Sequence, residues 1–197
     1  MFITFEGVDG SGKSTQAELL RDALTADGRE VVLTREPGGT EIGERVRELV
    51  LNGPAMTPWA EAGLFASARA ELVETVIKPA LARGAIVISD RYVDSSLAYQ
   101  GIARGVGVDH VLELNLHAVQ GLMPDRTVLL LVEPTLAAQR AVLKDRLERE
   151  GSAFHERVAN AYRELADLYP GRIVVFDGAL PPDELAREIN ERIRRDL

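Results

Sequence analysis

The chain contains no cysteine. That excludes disulfides, thiolate metal sites and a cysteine nucleophile together. Its three histidines, His110, His117 and His155, lack metal-ligand spacing and read as ordinary helical residues. Lysine is scarce: Lys13, Lys78 and Lys144 are the only ones, and the other positive side chains are arginine. Long hydrophobic runs are missing too. The strongest, such as Val128 to Val132, are far too short to span a bilayer. The N-terminus has no basic-then-apolar leader pattern; Met1-Phe2-Ile3-Thr4-Phe5 reads as a strand, and the cytoplasm is the expected location. Net charge is -8, which argues against a nucleic-acid polymer as partner but leaves room for a small anion held by a few focused arginines.

What is present is a single repeating theme, short apolar strands alternating with amphipathic helices. Strands are expected at Ile3 to Glu6, Val31 to Thr34, Ala85 to Ser89, Thr127 to Val132 and Arg172 to Phe176. Helices are expected at about Ser14 to Asp27, Glu41 to Leu51, Trp59 to Ala82, Thr135 to Leu168 and Pro182 to Arg195. Continuous apolar strands belong to a sheet covered on both faces. The pattern predicts an α/β fold: a doubly wound, parallel, five-stranded sheet with helices on both faces. Ligands bind such sheets at the carboxyl ends of the strands. No repeat or linker divides the chain, so 1–197 is expected to be one domain.

Gly7-Val8-Asp9-Gly10-Ser11-Gly12-Lys13-Ser14, followed by Thr15, matches G-x-x-x-x-G-K-[ST] between an apolar strand and a helical pattern. The glycines let backbone N–H groups turn toward phosphate oxygens, and the helix N-terminus adds its dipole. Lys13 supplies a mobile charge, and Ser14 a hydroxyl able to ligate Mg²⁺. Asp90 closes the strand Ala85 to Ser89. An Asp there is commonly a helix cap, but beside a P-loop it reads as a second group for Mg²⁺. A GTPase would need N-K-x-D, which does not occur. Arginines just after strands instead suggest a kinase whose acceptor is itself a phosphate.

Several further segments fall in order: Phe5-Glu6-Gly7; Arg35-Glu36-Pro37-Gly38-Gly39-Thr40; Phe65 with Arg69; Asp90-Arg91-Tyr92 with Ser95-Ser96-Leu97-Ala98-Tyr99-Gln100-Gly101; and Asp145-Arg146 with Glu148. With the P-loop they resemble bacterial thymidylate kinases, of the P-loop nucleoside monophosphate kinase type, over essentially the whole chain. The resemblance implies transfer of a phosphoryl group from ATP to dTMP with Mg²⁺, in a homodimer. It implies that Arg69 and Arg91 hold the acceptor 5′-phosphate and that Asp9 orients the sugar 3′-hydroxyl and a nearby arginine. Phe65 would stack on thymine while Ser96 and Gln100 read its polar edge. Tyr99 would lie under the deoxyribose, and Pro37 would wall the base pocket beside Arg35. On the residues alone, Phe65 reads as core, and Tyr99 equally as core or site.

Because Ser11 is not basic, the resemblance assigns the transition-state charge to a lid over about 140–150, carried by Arg140 and Arg146 with a smaller part for Lys144. That segment is shorter and less glycine-rich than is usual in the family. Its charges also fit the solvated face of a helix. Ala68 stands where the family often has a polar residue, and Trp59 has no assigned role. The competing readings are a kinase for another monophosphate or a deoxynucleoside, and a nucleotide-binding protein without turnover.

Overall fold

The structure, a computed structural model, describes residues 1–140 and 145–197. Five parallel strands, β1 (Phe2–Glu6), β2 (Val31–Arg35), β3 (Ile86–Asp90), β4 (Arg126–Leu131) and β5 (Ile173–Asp177), form one sheet in the order β2-β3-β1-β4-β5. The strands lie within a residue or two of their expected places. Phe5 of β1 faces Asp90 of β3, which in turn faces Arg35 of β2. The three strands therefore end together, and the loops opening at Gly7, Glu36 and Arg91 share one rim.

Strand side chains alternate between two interiors. Ile3, Phe5, Ile88, Val128 and Leu130 pack under α1 (Lys13–Ala26) and α9 (Pro182–Arg194), against Leu20, Leu24, Leu185 and Ile189. Phe2, Val87 and Leu129 face the opposite cluster, under α3 (Pro58–Leu72), α6 (Val108–Ala118) and α8 (Ser152–Leu168). At α3 the N-terminus is set by Thr57, whose hydroxyl accepts from Ala60 N, and by Pro58 in the first turn. Its partner α2 (Glu41–Asn52) is capped by Thr40, which accepts from Gly43 N at 2.9 Å.

Three differences from the sequence expectation have local causes. The helix expected over Trp59 to Ala82 is interrupted by a π-helical turn at Val73–Ile77 before α4 (Lys78–Ala82). Pro79 lacks an N–H and its ring crowds the carbonyl one turn back, so a wider turn there relieves the clash. Beyond the helical reading of His110 and His117, no element was placed between Asp90 and Thr127, yet α5 (Val93–Ser96), a π-helical turn (Leu97–Ala103) and α6 fill it. The helical reading of the lid also fails where it can be seen. After α7 (Pro134–Arg140), residues 145–150 form a turn, because the Asp145 carboxylate accepts from Leu147 N at 2.8 Å and Glu148 N at 2.9 Å. Lys144 lies outside the described residues. Among the described residues no helix is long and apolar enough to cross a membrane.

Candidate active site

The P-loop runs from β1 into α1 and borders a cavity of about 570 Å³ at the rim. Two glycines are required there. Gly7 has φ 138°, and a Cβ on it would sit 2.5 Å from Leu130 O; Gly10 has φ 79°, and a Cβ would collide with Ala137 O. Asp9, Gly10, Ser11, Gly12, Lys13, Ser14 and Thr15 all line the cavity. Gly7 and Val8 do not; Val8 packs inward, and Gly7 O accepts from Arg91 Nη1 at 3.2 Å. The Lys13 ammonium is buried, donating to Val8 O at 2.8 Å. Burial and the nearby Arg91 charge lower its pKa. Ser14 Oγ donates to Asp90 Oδ2 at 2.5 Å, while Asp90 Oδ1 is buried without a partner. A serine hydroxyl beside an unsatisfied carboxylate oxygen suits a hard divalent cation. Among the described residues no group of three or more His, Cys, Asp or Glu is placed to hold a metal ion, so further ligands for such a cation would come from water and phosphate. Arg140 lines the same cavity, its Nη1 donating to Gly178 O at 2.8 Å, and Leu180, Pro182 and Leu185 give it an apolar end.

A second, narrower cavity adjoins the first, and Asp9, Glu36, Arg47 and Arg91 line both. Arg91 is the hinge between them. Its backbone lies in the left-handed region at φ 74°, which a non-glycine residue adopts only when held there. The hold is visible: Arg91 N donates to Phe5 O at 2.9 Å, and Ser89 Oγ donates to Arg91 O at 2.8 Å. This backbone turn carries the guanidinium over the P-loop. There it pairs with Asp9 and donates to Ser95 Oγ at 3.0 Å and to the Tyr162 hydroxyl at 3.3 Å. Both hydroxyls in turn donate to Glu6 Oε2, at 2.6 and 2.9 Å. Burial pushes the Glu6 carboxyl up to about 7, with the Asp94 charge adding and Arg91 opposing. Burial pushes Asp9 up as well, but the charges of Arg91 and Lys13, with hydrogen bonds from Arg91 and Tyr99, outweigh it and hold that carboxyl well below the usual range.

Phe65, Ser96, Tyr99, Gln100 and Pro37 all line the narrower cavity. Tyr99 donates its hydroxyl to Asp9 Oδ2 at 3.1 Å, and its ring lies 5.4 Å from the Arg91 guanidinium carbon. Three of the expected site residues are engaged by other parts of the chain. Arg69 does not stand free at the rim. It is 1% exposed, and its guanidinium is spent on Glu36 at 2.7 Å, Ser96 at 3.0 Å, Tyr92 O at 3.0 Å and Asn115, so the fork expected to grip a phosphate is occupied. Arg146 lines neither cavity, donating to Val50 O at 2.8 Å and Glu61 at 2.7 Å. It fastens the 145–150 turn to α2 and α3. Arg35 lines the larger cavity rather than standing beside Pro37 in the narrower one, and pairs with Glu44 at 3.1 Å on an exposed surface.

Sequence reasoning missed Arg47 and Glu36, which border both cavities, and Glu6. Glu36 and Glu6 stood inside quoted segments, but a glutamate beside a glycine turn carries no sign of burial. Glu36 is 5% exposed with Oε1 unpartnered, and burial raises its pKa to about 7.

Comparison with known proteins places this geometry. The family model described as thymidylate kinase matches residues 5–189. The chain is 51% identical over 197 residues to the thymidylate kinase of Clavibacter michiganensis subsp. michiganensis, covering 98% of this chain and 93% of that one. It is 46% identical to the thymidylate kinase of Deinococcus radiodurans, covering 96% and 94%. The crystal structure of thymidylate kinase from Ehrlichia chaffeensis superposes with a TM-score of 0.82 at 34% identity, over 98% of both chains.

Proposed function

The chain belongs to the thymidylate kinase family, and from that premise we propose that its larger cavity takes ATP and its narrower one takes dTMP. The enzyme phosphorylates dTMP to dTDP. The observation that carries the division of labour is the shared wall: Arg91, locked to Asp9, borders both cavities, so two phosphates approaching from opposite sides meet at one guanidinium. Phosphoryl transfer requires little covalent help from protein. In-line placement and neutralisation of spreading charge suffice.

On the donor side the P-loop amides, Lys13 and Arg140 surround the phosphates. Mg²⁺ would be held by Ser14 and Asp90 and would supply neutralisation of phosphate charge. On the acceptor side Arg91 holds the 5′-phosphate, its planar fork matching two oxygens. Phe65 stacks on the base, a contact worth about 1–3 kcal/mol. Ser96 and Gln100 meet its polar edge, and Tyr99 beneath the sugar leaves no room for a 2′-hydroxyl. Arg69 and Glu36 shape the wall from behind. Arg146 seats the lid turn rather than touching the phosphates.

The enzyme works in the cytoplasm as a homodimer paired through α3 and α6. Trp59, 55% exposed and 6.1 Å from the His110 ring, and Leu116, 38% exposed, lie on those helices. Light scattering at micromolar concentration tests the pairing; a mass of one chain rejects it. A coupled ADP-release assay with dTMP, dUMP, dCMP, dGMP and thymidine tests the reaction, with dTMP expected to stimulate most. ADP release that no acceptor stimulates sinks the proposal.

A further inference from the structure

Gln100 lies in the wall of the narrower cavity and is 1% exposed. A side-chain amide is directional: its oxygen accepts, its nitrogen donates, and a half-turn exchanges them with little change of shape. What Gln100 offers a ligand is therefore fixed by whatever holds its far side. That neighbour is Glu61, in the first turn of α3 and 1% exposed. Glu61 Oε1 accepts from Gln100 Nε2 at 2.8 Å. The same carboxylate accepts from Arg104, at 3.3 Å to each oxygen, and from Arg146 Nη2 at 2.7 Å. A carboxylate paired with two guanidiniums has only lone pairs to give, so Gln100 meets it with nitrogen, never with oxygen.

We propose that Glu61 sets the base specificity of the acceptor pocket by holding the Gln100 amide with its oxygen toward the ligand. The pocket then takes a pyrimidine whose N3 carries a hydrogen and rejects one whose N3 is a lone pair. This rests on the reading that the narrower cavity receives the pyrimidine. Thymine and uracil present N3–H to the oxygen. Cytosine would set an acceptor against an acceptor in a buried site, and neither could be satisfied by water. Glu61 touches no ligand in this arrangement; it is a positioning residue. It is also the anchor of the lid turn, because Arg146 ends on it, and Asp145 and Leu147 of that turn line the same cavity. Seating the turn and orienting the reader therefore share one anion.

The test compares dTMP with 5-methyl-dCMP, which keeps the methyl, sugar and phosphate and changes only the N3 and C4 edge. In Glu61→Gln the new amide can donate to the Gln100 oxygen, which frees the reader to turn over. The ratio of kcat/KM for dTMP to that for 5-methyl-dCMP should fall by about tenfold or more. If Glu61 merely ties α3 to the lid, both substrates lose alike and the ratio stays put, which overturns the inference. Should Glu61→Gln not fold, the unsubstituted protein carries the test by NMR, with the Gln100 side-chain NH₂ signal assigned by its loss in Gln100→Leu. Those hydrogens should exchange slowly and barely shift when dTMP is added, since the nitrogen stays on Glu61; a large shift rejects the proposal. Phe65→Ala separates the two layers. An unchanged KM for dTMP there defeats the pocket reading itself. A raised KM with an unmoved ratio in Glu61→Gln defeats only the role of Glu61.

Discussion

On the side of the sheet under α1 and α9, strands β1, β3 and β4 turn in Ile3, Phe5, Ile86, Ile88, Val128 and Leu130, all apolar. On the side under α3, α6 and α8, the same strands turn in Phe2, Val87 and Leu129 together with the polar Thr4, Glu6, Ser89 and Thr127, and Arg69, Glu36 and Asp94 are buried as well. The apolar side holds the fold together by area alone, which is strong but carries no direction. The other side adds buried charge to its apolar core, which is costly unless every partner is in place. Its yield is orientation: Glu6 sets two hydroxyls that set Arg91, and Glu36 and Ser96 share Arg69. One sheet thus draws cohesion from both sides and aim from only one.

The comparison breaks if the two sides respond alike to substitution. The largest effect should come from Arg69→Ala, which leaves the Glu36 carboxyl buried without its guanidinium; about 3–5 kcal/mol of stability should go, seen in urea unfolding. A loss confined to KM, with stability intact, would return Arg69 to the rim. Arg91→Ala should reduce kcat/KM for dTMP by roughly 10²–10³-fold while moving stability far less, since it sits at the cavity edge. Glu36→Gln sharpens the contrast through pH. The Glu36 carboxyl, raised to about 7 by burial, keeps its proton in the folded chain between about 4.5 and 7, where the unfolded chain has lost it. Stability contributed by that proton is full below the unfolded value and fades as pH rises through the folded one. From pH 5 to pH 8 the parent should therefore lose about 1–3 kcal/mol relative to the variant. A difference independent of pH would refute the assignment. Smallest is Ile88→Val on the apolar side, expected to lower stability by about 0.5–1.5 kcal/mol and to leave both KM values alone.

Legibility in the sequence follows the same divide. The P-loop can be read directly because its chemistry is local: consecutive residues make the turn, the cradle and the helix start. Strand positions were readable because apolar runs in a covered parallel sheet are continuous. The polar interior was not readable in this way. Arg69 finds Glu36, Tyr92 and Asn115 from three separate elements, and nothing near it in the chain shows that its fork is already taken. Phe65, Ser96, Tyr99 and Gln100 were named from resemblance, not from periodicity, and their shared wall is a product of packing. The stretch Val93–Ala118 escaped because its π-helical turn and Gly101, Gly105 and Gly107 disturb the 3.6-residue period. In the segment expected to be a lid, alternating charges mimicked a helix face, while Asp145 folds the backbone into a capped turn instead.

Trp59 gives the chain a built-in lamp. It is the only indole in the sequence, half open to water and close to an imidazole. Its emission carries no background from the catalytic rim, so a blue shift on raising the concentration would register two copies meeting. That signal needs no label, ligand or turnover.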